Sequence, residues 1–326
     1  MVELTLVEAV QAALARAMTE DESVVVLGED VGRDGGVFRA TDGLVDRFGA
    51  DRVRDTPLSE ATIAGLAVGL AAQTFRPVAE IQFMGFIYPA IDQMLNHASR
   101  LRSRTRGRLS CPMVLRAPYG AGIHAPEHHS ESTEALFCHI PGLRVVIPSS
   151  PAKAYGLLLS AIRDPDPVVF LEPKRVYRSS REEISDDGGG LPLDRAFVLR
   201  RGHDVTLVSW GAMIAESLQA AEQLSALGIE CEVIDLATLK PFDSKLVLES
   251  VSRSGRCVVV QEAALTGGFG SEVAATIAEH GLMHLLAPVK RVAGYDTIVP
   301  LAKLEDHYLP SVGRITGAVE EVMAYS

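Results

Sequence analysis

Pro57-Leu58-Ser59-Glu60 places a carboxylate at the head of an uncharged run, Ala61 to Gln73, which is apolar nearly all round. Gly65 and Gly69 stand four positions apart in it, so the segment reads as an interior helix whose glycines permit close packing. Glu60 then lies in or beside the first turn, where the helix dipole favours an anion by about 0.3 to 1 kcal/mol. One reading is a helix-end acid with Ser59 as its cap. The other requires a ligand: a carboxylate short of water tends toward a raised pKa, and it can hydrogen-bond, or share a proton with, a basic ring nitrogen.

The second dense stretch is Gly120 to Glu134, Gly-Ala-Gly-Ile-His-Ala-Pro-Glu-His-His-Ser-Glu-Ser-Thr-Glu, which follows an apolar strand pattern and precedes a helical one. Imidazoles suit general acid and base work near neutral pH, and loops at strand ends are where parallel α/β sheets hold ligands. A solvated loop with Ser130 to Thr133 capping the next helix is the plainer alternative. Zinc is the competing functional reading, through His124, Glu127, His128, His129 and Glu131. It is weakened by the lack of H-E-x-x-H and by adjacent histidines that converge poorly on one tetrahedral ion. Gln82, Phe83, Phe86 and Tyr88 follow another strand pattern, where they could form core or stack on a flat heteroaromatic ring. Neither G-x-G-x-x-G after the first strand nor G-x-x-x-x-G-K-S/T occurs, which argues against a free-standing dehydrogenase or kinase.

The elements that must position these residues alternate. Thr5-Leu-Val-Glu8 is a capping box opening a helix to about Met18. Strand patterns follow at Ser23–Leu27, Pro77–Ile81, Pro112–Arg116, Leu143–Ile147 and Pro167–Leu171, with helical patterns at Pro89–Arg104 and Pro151–Arg163. This predicts an α/β fold with a parallel sheet covered by helices. Between Lys174 and His203 the periodicity gives way to a polar, glycine-rich connection, and strand–helix alternation then resumes. The expected division is 1–175, a linker at 176–203, and a second α/β domain at 204–326. With 31 basic against 42 acidic residues, net −11, a nucleic-acid surface is not expected. Cys111, Cys138, Cys231 and Cys257 form no C-x-x-C, so buried reduced thiols are expected. Charges interrupt every long apolar span and the start shows no signal-peptide pattern, so a cytoplasmic protein without membrane contact is expected.

Taken together, Leu27-Gly-Glu-Asp-Val31, Asp55-Thr-Pro-Leu-Ser-Glu60, Ala79-Glu-Ile-Gln-Phe83, His128-His-Ser130, Pro141-Gly-Leu-Arg-Val-Val146 and Phe170-Leu-Glu-Pro-Lys-Arg175 carry a resemblance. They resemble the beta subunit of the thiamine-diphosphate-dependent, decarboxylating component of 2-oxo acid dehydrogenase complexes, and the likeness runs from about Leu4 to the C-terminus. It implies a pyrimidine-binding thiamine-diphosphate domain followed by a transketolase-type C-terminal α/β domain. It also implies an alpha2-beta2 heterotetramer serving a lipoyl-bearing acyltransferase core. The alpha subunit would hold the diphosphate and Mg2+, in keeping with the lack of a G-D-G followed by Asn in this sequence. Glu60 matches the glutamate that hydrogen-bonds the pyrimidine ring nitrogen and promotes its imino tautomer. Phe86 matches the aromatic residue packed on that ring, with Leu58 and Gln82 lining the pocket, and His129 matches the histidine of reductive acylation.

The resemblance further assigns Met113, Ala161, Ile162, Asp164 and Asp166 to a cage of backbone carbonyls around a monovalent cation, K+, that would brace the His129 loop. A proline-set turn is the plain alternative there, and many relatives carry Asn where Asp166 stands. Pro126 to Glu134 and Phe170 to Arg175 look closer to branched-chain than to pyruvate enzymes, so a branched-chain 2-oxo acid is the expected substrate, with pyruvate or acetoin as alternatives. From another class, a noncatalytic assembly subunit would keep the fold without the chemistry.

Overall fold

A computed structural model describes residues 1–325, which divide into two compact units. Met1–Tyr119 and Leu136–Leu193 make the first; Gly120–Ala135 and the chain from Asp194 onward make the second.

The first unit is built on parallel strands ordered Arg144–Val146, Val168–Pro173, Val114–Tyr119, Arg76–Glu80, Val24–Gly28 and Val53–Asp55. Val24–Gly28, Val114–Tyr119 and Val168–Pro173 are buried at every position. A run of that kind needs cover on both faces, which is why these strands read as apolar blocks rather than as alternations. Helices Leu6–Glu20 and Pro151–Arg163 pack as one pair, Glu60–Ala72 and Tyr88–Asn96 as another. The capping box at Thr5 is present, with the Glu8 carboxylate accepting from the Thr5 N–H and hydroxyl at 2.8 Å each.

The second unit carries the sheet Lys290–Gly294, Cys257–Ala264, Val205–Ser209, Cys231–Asp235 and Phe197–Arg200, parallel except for the last pair. Helices Met213–Ser225 and Val312–Met323 pack together, as do Ser244–Ser254 and Gly270–Gly281. All four cysteines are free and buried. No helix among the described residues is long and apolar enough to cross a membrane.

Three expectations change. The helical pattern Pro89–Arg104 is broken: an α-helix ends at Asn96, a 3-10 turn spans Ala98–Arg100, and a short helix covers Leu101–Arg104. The Ser99 hydroxyl donates back to the Leu95 carbonyl at 2.9 Å there, a local bond that competes with the helix ladder. The polar connection after Lys174 contains strands: Glu182–Ile184 pairs with Val2–Leu4, and Phe197–Arg200 pairs with Cys231–Asp235, both antiparallel. Such edge strands need no apolar period. Finally, Glu60–Ala72 is interior on one side only. Ile63, Ala64, Ala67 and Ala71 are buried, whereas Leu66 is 44% exposed. Gly65 meets Gln93 of the neighbouring helix, but Gly69 faces open space.

Candidate functional site

Three neighbouring parallel strands bring the first group together. Val24–Gly28 lies between Val53–Asp55 and Arg76–Glu80, and the chain leaving their C-terminal ends supplies Glu29, then Leu58 and Glu60, then Gln82 and Phe86. That end of a parallel sheet is where ligands enter. Glu60 is the first residue of its helix and half-buried, as the dipole argument requires. Ser59 does not cap through its side chain; its hydroxyl lies 2.8 Å from that of Thr62.

Glu29 was not singled out by sequence. Its side chain is buried, and Oε1 has no hydrogen-bond partner among the described residues. Burial raises its pKa above the carboxylate range, the charges of Glu60 and Asp30 add to the rise, and a hydrogen bond from the Ser59 backbone opposes it. A buried acid with an orphaned oxygen beside a second acid suits a ligand that brings hydrogen-bond donors. The signal available in sequence was its position, the first residue after an apolar strand.

Phe86 closes a 3-10 turn, half-buried, with its ring 5.8 Å from that of Phe83 and 82° from coplanar. Phe83 meets Phe38 edge-on at 5.4 Å, and Phe38 meets Tyr177 at 5.2 Å. Gln82 is half-buried and Leu58 is 82% exposed.

The carbonyls expected to cage a cation lie at the turn before Val168–Pro173. The Met113 carbonyl accepts from the Val168 N–H at 3.0 Å and that of Ala161 from the Asp164 N–H at 3.3 Å. Arg76 Nη1 donates to the carbonyls of Ile162 and Asp164 at 2.8 and 3.2 Å. The Asp166 carboxylate pairs with Arg102 at 2.6 Å, and its N–H donates to the Asp164 side chain at 2.8 Å. Each of these carbonyl oxygens keeps a second lone pair.

The histidine loop belongs to the second unit. His129 is half-buried and His128 exposed, both in the 3-10 turn Glu127–His129, whose last N–H donates to the Pro126 carbonyl at 2.9 Å. The hydroxyls of Ser130, Ser132 and Thr133 do not cap the following helix. Ser130 donates to the Pro126 carbonyl at 3.2 Å, Ser132 to Glu262 at 3.2 Å, and Thr133 Oγ1 has no partner among the described residues. His124 faces Glu305 at 2.9 Å. Among the described residues no three His, Cys, Asp or Glu side chains converge as metal ligands.

Glu134, at the loop's end, is fully buried and accepts from Trp210 Nε1 at 3.3 Å, while Oε2 has no partner among the described residues. Burial raises this carboxyl to about 8; its own backbone N–H and Trp210 pull it down, and the charge of Glu262 adds to the rise. A carboxyl whose folded pKa exceeds its unfolded value favours the fold fully below the unfolded pKa, and that contribution disappears as pH climbs through the folded one. Glu134→Gln, which cannot ionise, is therefore expected to be more stable than the native chain above pH 7, on the order of 3 to 5 kcal/mol. The gap should close on approaching pH 4.5, the unshifted value. Urea midpoints across that range measure it; a gap that stays constant with pH counts against a buried neutral carboxyl.

The two bodies define a class. Residues 2–180 match the transketolase pyrimidine binding domain and residues 194–315 the transketolase C-terminal domain. A solved split-gene transketolase, described as an inactive beta4 tetramer, superposes with a TM-score of 0.82 at 26% identity over 99% of both chains. A Pichia stipitis transketolase shares the fold alone, with a TM-score of 0.72 at 13% identity, all of this chain covering 46% of that one.

Nearer relatives narrow the class. The pyruvate dehydrogenase E1 beta subunit of Bacillus subtilis is 46% identical over the full length of both chains, and that of Staphylococcus epidermidis is 48% identical over 95% of this chain and 96% of its own. A mitochondrial 2-oxoisovalerate dehydrogenase beta subunit of Arabidopsis thaliana is also 48% identical, over 99% of this chain and 90% of its own. The chain belongs to the beta subunits of the thiamine-diphosphate-dependent E1 component of 2-oxo acid dehydrogenases.

Proposed function

We propose that this chain is the beta half of an alpha2-beta2 component that decarboxylates pyruvate and passes the acyl group to a lipoyl arm of an acyltransferase core. The observation that carries the reading is Glu60 at its helix N-terminus beside the buried, partly orphaned Glu29, at adjacent strand ends of a pyrimidine-domain fold.

Glu60 would hydrogen-bond the aminopyrimidine ring nitrogen of thiamine diphosphate, with Phe86 packed on the ring and Leu58 and Gln82 beside it. The bound cofactor supplies the electron sink that allows carbon dioxide to leave. Burial, with the Glu60 charge added, raises the Glu29 carboxyl, since two neighbouring carboxylates resist ionising together. His129 donates a proton at the lipoyl sulfur released when the dithiolane opens. The diphosphate, with Mg2+, falls to the alpha chain, since this sequence carries no G-D-G with a downstream Asn. Exposed apolar side chains on and beside this helix support a partner as well: Leu58, Leu66 and Phe75 are 82, 44 and 40% exposed. K+ at the turn 161–166 would share carbonyls that already accept protein hydrogen bonds.

Full-length relatives named for pyruvate support pyruvate over the branched-chain acid favoured by local sequence, although the 2-oxoisovalerate relative is equally identical. The test is carbon dioxide release from pyruvate and 2-oxoisovalerate by this chain, by an alpha chain, and by the mixture. The expected result is activity in the mixture alone, at least about tenfold faster on pyruvate, since a hydrophobic pocket distinguishes small apolar groups by about 10- to 200-fold. Turnover by this chain alone would sink the shared-site reading, and a faster rate on 2-oxoisovalerate would reverse the substrate.

A further inference from the structure

The loop that carries His128 and His129 has a backbone shaped to receive an anion. Gly120, Gly122 and His124 are left-handed, with φ of 87°, 87° and 56°. Alternation of such residues with ordinary ones turns successive N–H groups toward one side and makes a concavity for negative charge. Two buried carboxylates, more than 120 residues further along the chain, occupy it.

Glu305, on helix Ala302–Tyr308, accepts from the Gly122 N–H at 2.8 Å with one oxygen and from the His124 N–H at 2.9 Å with the other. The second oxygen also lies 2.9 Å from His124 Nδ1. Glu262, on strand Cys257–Ala264, accepts from the Ala121 N–H and from the Ser132 hydroxyl. A Cβ on Gly120 would stand 2.7 Å from a Glu262 oxygen, so glycine is what lets the backbone come this close. Between these bonds Ala121 packs with Tyr308, Leu309 and Val299. Both feet of the His129 arch, at 121–124 and at 132, are thus held by acids of the C-terminal body. A buried acid that lost these donors would be left desolvated and uncompensated, so the arrangement has little freedom to drift.

We propose that Glu305, together with Glu262, is a positioning residue for His129, setting where the imidazole stands for proton transfer to the lipoyl sulfur. This rests on the reading of His129 given above. It also transfers to two side chains the bracing that the family resemblance assigned to K+. The group around Glu60 draws on strands of the first unit alone, so its part in decarboxylation is independent of these bonds.

The experiment uses the enzyme reconstituted with its alpha chain and measures two rates for each variant. Turnover with ferricyanide as artificial electron acceptor reports decarboxylation without the lipoyl arm; turnover with a lipoylated domain reports acyl transfer. For Glu305→Gln the lipoyl-dependent kcat is expected to fall by about tenfold or more, because misplacement of a reacting group by 1 Å costs up to about 10²-fold. The ferricyanide rate and the KM for the lipoylated domain should stay within about twofold of native, a split that general loss of structure does not produce. Equal loss of both rates, or loss of neither, overturns the proposal. His124→Ala removes one bond at a position 57% exposed, so it should assemble even where Glu305→Gln does not. It is expected to lower the lipoyl-dependent rate alone, by about two- to fivefold; an unchanged rate overturns the proposal too. His129→Ala separates the two layers. If it keeps lipoyl-dependent turnover, the role of His129 is wrong; if it loses that turnover while Glu305→Gln and His124→Ala keep theirs, only the positioning role is wrong.

Discussion

Replacing Glu60 with Gln in the reconstituted enzyme is expected to lower turnover by about 10² to 10⁴, the range that proton transfer by a positioned side chain contributes. Gln keeps the volume and a carbonyl acceptor but cannot hold the proton that a ring nitrogen must exchange. Assembly should survive, because the Glu60 side chain is only half-buried and the Ser59 and Thr62 hydroxyls pair with each other rather than with it. The loss should therefore fall on kcat, with the alpha–beta mass in native mass spectrometry unchanged. Glu29 offers a second reading of the same site. With the Glu60 charge gone, one of the influences that raise the Glu29 carboxyl disappears, so the acid limb of any residual pH profile should move down. Turnover within about twofold of native would remove Glu60 from proton transfer.

The strands that position this group were legible in the sequence because parallel strands buried on both faces are continuous apolar runs. Val24–Gly28, Val114–Tyr119 and Val168–Pro173 each appear within three residues of the expected place. Glu60 was legible for a related reason, since a lone acid at the head of an uncharged helix is visible locally. The antiparallel pair Val2–Leu4 with Glu182–Ile184 was not, because strands of three residues are too short to show a period and their register is set by residues about 180 positions apart. Glu305 and Glu262 escaped in the same way. Nothing near Glu305 distinguishes it from any acid on a short helix; its meaning lies in the Gly122 and His124 amides, which only the fold brings to it. The exposed face of Glu60–Ala72 inverts the lesson. An apolar segment shows that something must cover it, and here this chain covers only one side.

Arg116→Met is expected to cost about 3 to 5 kcal/mol, the penalty for leaving buried charge without its partner. Arg116 sits fully buried in the middle of the first unit's sheet, where Nε and Nη2 donate to the two oxygens of Glu172 at 2.7 Å each and Nη1 donates to Glu80. The Tyr177 hydroxyl donates to Glu172 at 2.6 Å. The guanidinium thus joins three neighbouring strands and neutralises two acids at once. Burial raises the Glu80 carboxyl and the nearby Glu172 charge adds to this, while Arg116 opposes both. With Arg116 removed, the folded-state pKa of Glu80 rises further above its unfolded value. The variant's relative stability should then be greatest in acid and decline as pH rises, so part of the deficit seen near pH 7.5 should be recovered near pH 5. The consequence reaches the aromatic group proposed to pack on the pyrimidine, because a Glu80 oxygen lies 2.9 Å from where a Cβ on Gly36 would stand, in the loop that delivers Phe38 to Phe83. Urea unfolding of the chain at both pH values, read beside the triple exchange Glu80→Gln, Arg116→Met and Glu172→Gln, tests the account. Removing all three charges should restore most of the stability, since a buried ion network replaced whole is often neutral. A triple variant no more stable than Arg116→Met would show that packing of the arginine stem, and not its charge, holds these strands together.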